Sequence, residues 1–169
     1  MHTLAIIDMQ SEFEASKNKD LQPSILREIN LCRRNNWPII LVEYFNSGNT
    51  CRFITNNLRN YNKLLYIIKY EDDGSMPIDR AVRTITRSKN LRVVGVNTDY
   101  CVKQTAVSLA RDYGYKVNIV DDGCWTLYHT PPNNVDLYKT SNENMCHRVG
   151  IRDLKMVKNI SVICKRKHM

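Results

Sequence analysis

Three residues of unlike chemistry stand at the ends of apolar, β-branched runs in this chain. Asp8 directly follows Thr3–Ile7, Lys69 closes Leu64–Lys69, and Cys101 comes shortly after Leu91–Val96. A carboxylate, an ammonium and a thiol held together have a definite chemistry. A thiol at the start of a helix is stabilised as an anion by unpaired backbone N–H groups and the helix dipole, and a nearby ammonium lowers its pKa further. An acid within reach can take the thiol proton and return it to a leaving amine. Taken singly, each residue has a plainer role: Cys101 as small buried filler, Asp8 as a loop cap, Lys69 as a solvated strand end. The joint reading depends on a fold that brings the three to one place.

The elements needed for this alternate along the sequence. Thr3–Ile7 reads as a parallel strand buried on both faces. Pro23 to Asn36 carries Ile25, Leu26, Ile29, Leu31 and Cys32 at helical spacing and stops at Asn35-Asn36, before Pro38. Pro38–Phe45 is a second strand, Cys51–Tyr61 a weakly patterned stretch with room for a short helix, and Leu64–Lys69 a third strand. Asp72-Asp73-Gly74-Ser75 is turn chemistry ahead of a helix over Met76–Ser88. A strand over Leu91–Val96, a helix over Tyr100–Tyr113 closed by Gly114, and a strand over Lys116–Val120 ending in Asp121-Asp122-Gly123 follow. The last third holds a Pro/Asn-rich turn at 131–134, helical runs to about Met156 and a strand over Asn159–Cys164. Six strands separated by helices, without repeat or linker, predict one α/β domain over 1–169, a mostly parallel sheet with helices on both faces. Ligands of such sheets bind beyond the carboxyl ends of the strands, where the strand order reverses. Asp8, Glu43 to Asn46, Lys69, Asn97 to Cys101 and Asp121-Asp122 all fall on that rim.

Composition narrows the alternatives. With 43% hydrophobic and 25% charged residues in 169, the chain is neither disordered nor collagenous. No apolar run approaches the 18 or so residues of a membrane span. The net charge of +8, from 25 Lys plus Arg against 17 Asp plus Glu, invites a nucleic-acid or membrane reading. The basic residues are dispersed, however. Arg80, Arg83 and Arg87 read as a solvated helix face, the tail Lys165-Arg166-Lys167-His168 as an exposed terminus, and no aromatic–basic interleaving accompanies them. Neither a nucleic acid nor a membrane is an expected partner. The six cysteines, at 32, 51, 101, 124, 146 and 164, show no CxxC spacing. The opening Met-His-Thr lacks the basic region of a signal peptide, so a cytoplasmic protein with reduced thiols is expected.

The segment Gly95-Val96-Asn97-Thr98-Asp99-Tyr100-Cys101-Val102, followed by Thr105-Ala106, resembles the nucleophile motif of the isochorismatase-like cysteine hydrolases, which include nicotinamidases and related amidases. Ile6-Ile7-Asp8-Met9-Gln10 with Phe13 resembles the N-terminal motif that carries the family's aspartate. Lys69 falls where the family has its lysine, and Gly114-Tyr115-Lys116-Val117 with Asp121-Asp122 matches the helix–strand pair that follows. The likeness covers roughly residues 3–125. It implies a three-layer, Rossmann-like α/β/α fold with a six-stranded sheet, and Asp8, Lys69 and Cys101 as catalytic residues. It also implies a cis peptide between Val96 and Asn97 that turns the Asn97 N–H inward beside that of Cys101, as two donors for an oxyanion. The expected reaction is attack by Cys101 on an amide carbonyl of a small metabolite, loss of ammonia or an amine, and hydrolysis of the thioester. By analogy with the family, a homo-oligomer (a dimer or larger) is expected.

The chain also departs from the family. Nicotinamidases hold a metal with an aspartate and histidines placed after the second and third strands, whereas Glu43–Tyr70 here contains no histidine. No metal and no cofactor are expected. Glu43 and Asn46 are candidate polar groups in its stead, and Phe13 and Tyr100 are candidate pocket walls. Isochorismatase proper cleaves a vinyl ether without a thiol, so Cys101 favours amide chemistry. A silent member that only binds a metabolite, a vinyl-ether hydrolase and a nucleic-acid-binding module are the rival readings.

Overall fold

The computed structural model describes residues 1–127 and 145–164. Its centre is a six-stranded, all-parallel sheet in the order β3-β2-β1-β4-β5-β6. The strands are β1 (Thr3–Ile7), β2 (Ile39–Tyr44), β3 (Leu64–Lys69), β4 (Asn90–Val96), β5 (Lys116–Trp125) and β6 (Ile160–Ile163). Five helices accompany them: α1 (Gln22–Asn35), α2 (Arg52–Leu58), α3 (Ser75–Ile85), α4 (Lys103–Arg111) and α5 (Met145–Lys155).

Strand residues alternate between the two faces, and the core divides accordingly. Leu4, Ile6, Ile39, Leu41, Val94 and Val96 face one way and pack with Ile25, Ile29 and Cys32 of α1 and with Ile54 and Leu58 of α2. Ala5, Ile7, Ile40 and Val42 face the other way, against Ile78 and Val82 of α3, Ala106 and Leu109 of α4, and Ile151 and Leu154 of α5. Each such side chain contributes about 1.5–3 kcal/mol by leaving water. That burial is what commits the sheet to two helical layers. The helix over α1 ends where Asn36 turns left-handed at φ 53, with Trp37 N–H donating to the Cys32 carbonyl at 2.9 Å.

The expected elements are present, with three displacements. β5 runs on through Asp121-Asp122-Gly123 to Trp125 instead of stopping at Val120, because both acids find partners. Asp122 accepts from Ser24 Oγ at 2.8 Å and from Arg27, and Asp121 meets His147 Nε2 at 3.0 Å. The sheet register absorbs this by a bulge: Val93 pairs with Ile119, then Gly95 with Cys124. The helix expected to begin at Tyr100 opens instead with a π turn over Thr98–Val102 before α4. The helix after the acidic turn spans Ser75–Ile85, three residues short of Ser88. The turn expected at 131–134 and the basic tail at 165–168 lie outside the described residues. Among the described residues no helix is long and apolar enough to cross a membrane. All six cysteines are free thiols.

Strand order fixes the place where function is expected. β2 lies on one side of β1 and β4 on the other, so the crossovers leave β1 in opposite directions. The switch point is therefore beyond the carboxyl ends of β1 and β4, and these lead into Asp8 and into Asn97–Cys101.

Candidate active site

Asp8 leaves β1 in a left-handed conformation, φ 51, and is buried. Its backbone N–H donates to the Val42 carbonyl at 2.9 Å, which holds it level with β2. Lys69 arrives from β3 with its ammonium fully covered and 3.0 Å from Asp8 Oδ2. The ammonium donates to the carbonyls of Glu71 at 2.9 Å and Asp72 at 3.2 Å, and it lies 4.3 Å from the centre of the Tyr44 ring. Cys101 is buried within the π turn, and its Sγ is 3.6 Å from Asp72 Oδ1. The Val96–Asn97 peptide bond is cis.

Electrostatics here depart from the sequence expectation of an acidified thiol. Burial pushes the Cys101 thiol up to about 12; the negative charge of Asp8 adds to this, and Lys69 only partly offsets it. Burial likewise raises the Asp8 carboxyl above its ordinary 3.8, against the pull of the Lys69 charge and of the neighbouring thiol. At rest the sulfur carries its proton, beside the Asp8 carboxyl. Desolvation outweighs the stabilisation expected of a helix start at a residue 4% exposed.

Above the thiol lies a cavity of about 420 Å³, lined by Phe13, Tyr44, Ser47, Asp72, Asn97, Tyr100 and Cys101. Phe13 and Tyr100, the candidate pocket walls, both line it. Glu43 and Asn46 do not line it, which corrects their candidacy as recognition groups. Glu43 turns to Thr50, accepting from its backbone N–H at 3.1 Å, and Asn46 sits in a left-handed turn at φ 56. Their chain neighbours Tyr44 and Ser47 face the cavity instead. Asp72 joins the wall from the Asp72-Asp73-Gly74-Ser75 turn.

Two further devices hold the rim. Gln10 is buried and bridges two loops: its Nε2 donates to the carbonyls of Tyr44 at 3.0 Å and Gly48 at 2.7 Å, and its Oε1 accepts from Tyr44 N–H at 2.7 Å. On the other side, α5 presses on the nucleophile turn. A methyl group on Gly150 would lie 3.1 Å from the Asp99 backbone, and His147 Nδ1 is 2.8 Å from Thr98 Oγ1. His147 thus braces the turn from α5, between Thr98 and Asp121.

Nicotinamidase-type metal binding needs imidazole donors beside the cavity. Tyr44, Ser47 and Asp72 supply none, and Glu43 is engaged with Thr50. Among the described residues no three His, Cys, Asp or Glu side chains cluster as metal ligands. The described residues do not fit that metal.

A three-layer α/β/α domain whose switch point holds an acid, an ammonium and a thiol is the architecture reached from these observations. The model of the isochorismatase domain matches residues 2–151, and the chain belongs to that family. No curated protein matches the sequence. Among solved structures, the chain is similar to the nicotinamidase of Staphylococcus aureus, with 19% identity, 96% of this chain and 98% of that one covered, and a TM-score of 0.74. It is similar to the MAR1 ribonuclease of Caenorhabditis elegans, with 19% identity over 95% of this chain and 76% of that one and a TM-score of 0.76. An isochorismatase of Pseudomonas putida shares 18% identity over 95% and 86% of the two chains, at a TM-score of 0.75. These likenesses establish the fold.

Proposed function

We propose that the protein is a cysteine hydrolase that cleaves the C–N bond of a small amide through a thioester on Cys101. The observation that carries this reading is the Asp8–Lys69 ion pair, 3.0 Å long and buried, in hydrogen-bonding reach of Cys101, which alone of the three lines the cavity. A thiol held near 12 is activated only as it reacts, so its proton passes to Asp8 while sulfur attacks the carbonyl carbon. The resulting oxyanion is met by the backbone N–H groups of Asn97 and Cys101. As the C–N bond breaks, Asp8 returns the proton to the leaving nitrogen. Water then attacks the thioester, giving up a proton to Asp8, and the acid departs with the thiol restored. Lys69 keeps Asp8 ionised between these transfers. No step requires a metal.

The test is to incubate wild type and Cys101→Ala with a metabolite extract and follow the amides lost by mass spectrometry, together with any acyl adduct on the Cys101 peptide. Amide loss and an adduct specific to wild type are expected. Electrophiles labelling Cys101 in a protein that hydrolyses no amide would identify a silent, metabolite-binding member instead.

A further inference from the structure

The cavity has a charge opposite in sign to that of the whole chain. The chain carries +8, yet among the described residues lining the cavity the one formal charge belongs to Asp72. Lys69 is spent behind the wall, on Asp8 and on two carbonyls. Three aromatic rings, Phe13, Tyr44 and Tyr100, share the lining with Asp72. A carboxylate among aromatic faces suits an organic cation, which gains from the charge and from the negative faces of the rings together. An anionic substrate would meet Asp72 with no described counter-charge in the wall.

Asp72 is held there by its backbone. Its carbonyl accepts from the Lys69 ammonium at 3.2 Å and from Thr105 Oγ1 at 3.4 Å, while Gly74 N–H donates to Thr105 Oγ1 at 2.8 Å. The turn between β3 and α3 is thereby tied both to the ammonium of the site and to α4. The side chain reaches the thiol: Oδ1 is 3.6 Å from Cys101 Sγ, and Oδ2 accepts from Gln104 Nε2 at 3.4 Å. A substrate carbonyl on Cys101 therefore brings atoms two or three bonds away into contact range of this carboxylate.

Resting on the hydrolase reading, we propose that Asp72 selects amides carrying a cationic nitrogen two or three bonds from the scissile carbonyl, that is, α- or β-ammonio amides. Specificity here is a pairing of opposite charges beside the nucleophile, in a cavity of about 420 Å³.

Three methanethiosulfonates of one chemotype probe the charge preference without turnover: the aminoethyl (cationic), methyl (neutral) and sulfonatoethyl (anionic) reagents. Each transfers its thioalkyl group to a cysteine with loss of methanesulfinate. Rates at Cys101 are read by peptide mass spectrometry, with exposed Cys164 as reference thiol in the same tube. The cation-to-anion rate ratio at Cys101 is expected to exceed that at Cys164 by about tenfold, the scale of one partly screened charge contact. Asp72→Asn should bring the two ratios together, and Asp72→Lys should invert the preference. Equal ratios in wild type and Asp72→Asn, with both folded by urea titration, overturn the proposal. Glycinamide and β-alaninamide against propanamide and succinamate give the parallel test by hydrolysis. Charge-selective labelling without hydrolysis of any amide leaves the pocket assignment standing and defeats the hydrolase reading. Hydrolysis indifferent to charge and to Asp72→Asn does the reverse.

Discussion

Glu28–Arg92 and Asp8–Lys69 are both ion pairs removed from water, at opposite ends of the strands. Arg92 on β4 stands level with Leu4 near the start of β1, whereas Asp8 follows the strand's last residue. Arg92 Nε donates to Glu28 Oε2 at 2.6 Å in a directed bond under α1. Asp8 and Lys69 are 3.0 Å apart, and one side of that pair faces a thiol and, beyond it, a cavity. Burial alone therefore does not distinguish a fastening from a working group. What distinguishes them is what each pair stands beside. The pair near the start of the strands lies under α1, and the pair at the switch point stands next to a thiol and a cavity.

The largest consequence of this contrast is catalytic. Asp8→Asn is expected to lower kcat on any amide the wild type hydrolyses by about 10³-fold, the scale of a lost general acid–base. Glu28→Gln should leave kcat of the folded protein within about twofold. Activity loss on the Glu28 side would erase the distinction. In stability the order reverses. Glu28→Ala leaves the Arg92 guanidinium buried without its carboxylate and should cost about 3 kcal/mol in urea unfolding. Lys69→Met should cost about 1 kcal/mol or less, because Asp8, already raised by burial, takes up a proton in place of its partner.

The thiol sharpens the same comparison. With Cys101 pushed up to about 12, its alkylation by iodoacetamide should rise about tenfold per pH unit from 7 to 9 without levelling. A plateau near neutrality would mean that Lys69 outweighs burial. The smallest effect is a slope. Asp8 holds its proton in the folded state at pH values where the unfolded chain, titrating near 3.8, has lost it. Its contribution to stability therefore declines as pH rises from about 3.8 through the higher folded value, then levels off. Asp8→Asn should remove that decline, so the variant gains on wild type across the same window in chemical denaturation.

Much of this arrangement could be read from residue types and order. Parallel strands announce themselves as uninterrupted apolar runs, and the expected bounds Leu64–Lys69 are those of β3 even though it is a half-exposed edge strand. The positions of Asp8, Lys69 and Cys101 on one rim follow from strand ends alone. What escaped depended on contacts distant in sequence. β5 passes through Asp121-Asp122-Gly123, ordinary turn chemistry, because Ser24, Arg27 and His147 supply partners no local pattern reveals. Glu43 and Tyr44 are neighbours on one strand, so they point to opposite sides, and which side meets the cavity is settled by Thr50 capturing the carboxylate. The state of the thiol escapes the sequence for a related reason. A helix start is visible in a sequence, but the depth at which it is buried is not.

Gly95 shows how narrowly the rim is set. It pairs with Ile7, one residue before Asp8, at φ +133, and a methyl group there would stand 2.0 Å from the Ile7 carbonyl oxygen. Any single-base change in a glycine codon that still encodes a different amino acid installs at least that methyl. At this position every such step collides with backbone, so the separation between the acid's loop and the thiol's loop has no gradual route to change. Wall side chains without a part in the reaction, such as Ser47, can change one at a time. The gauge between its two reacting ends stays frozen unless both strands are rebuilt together.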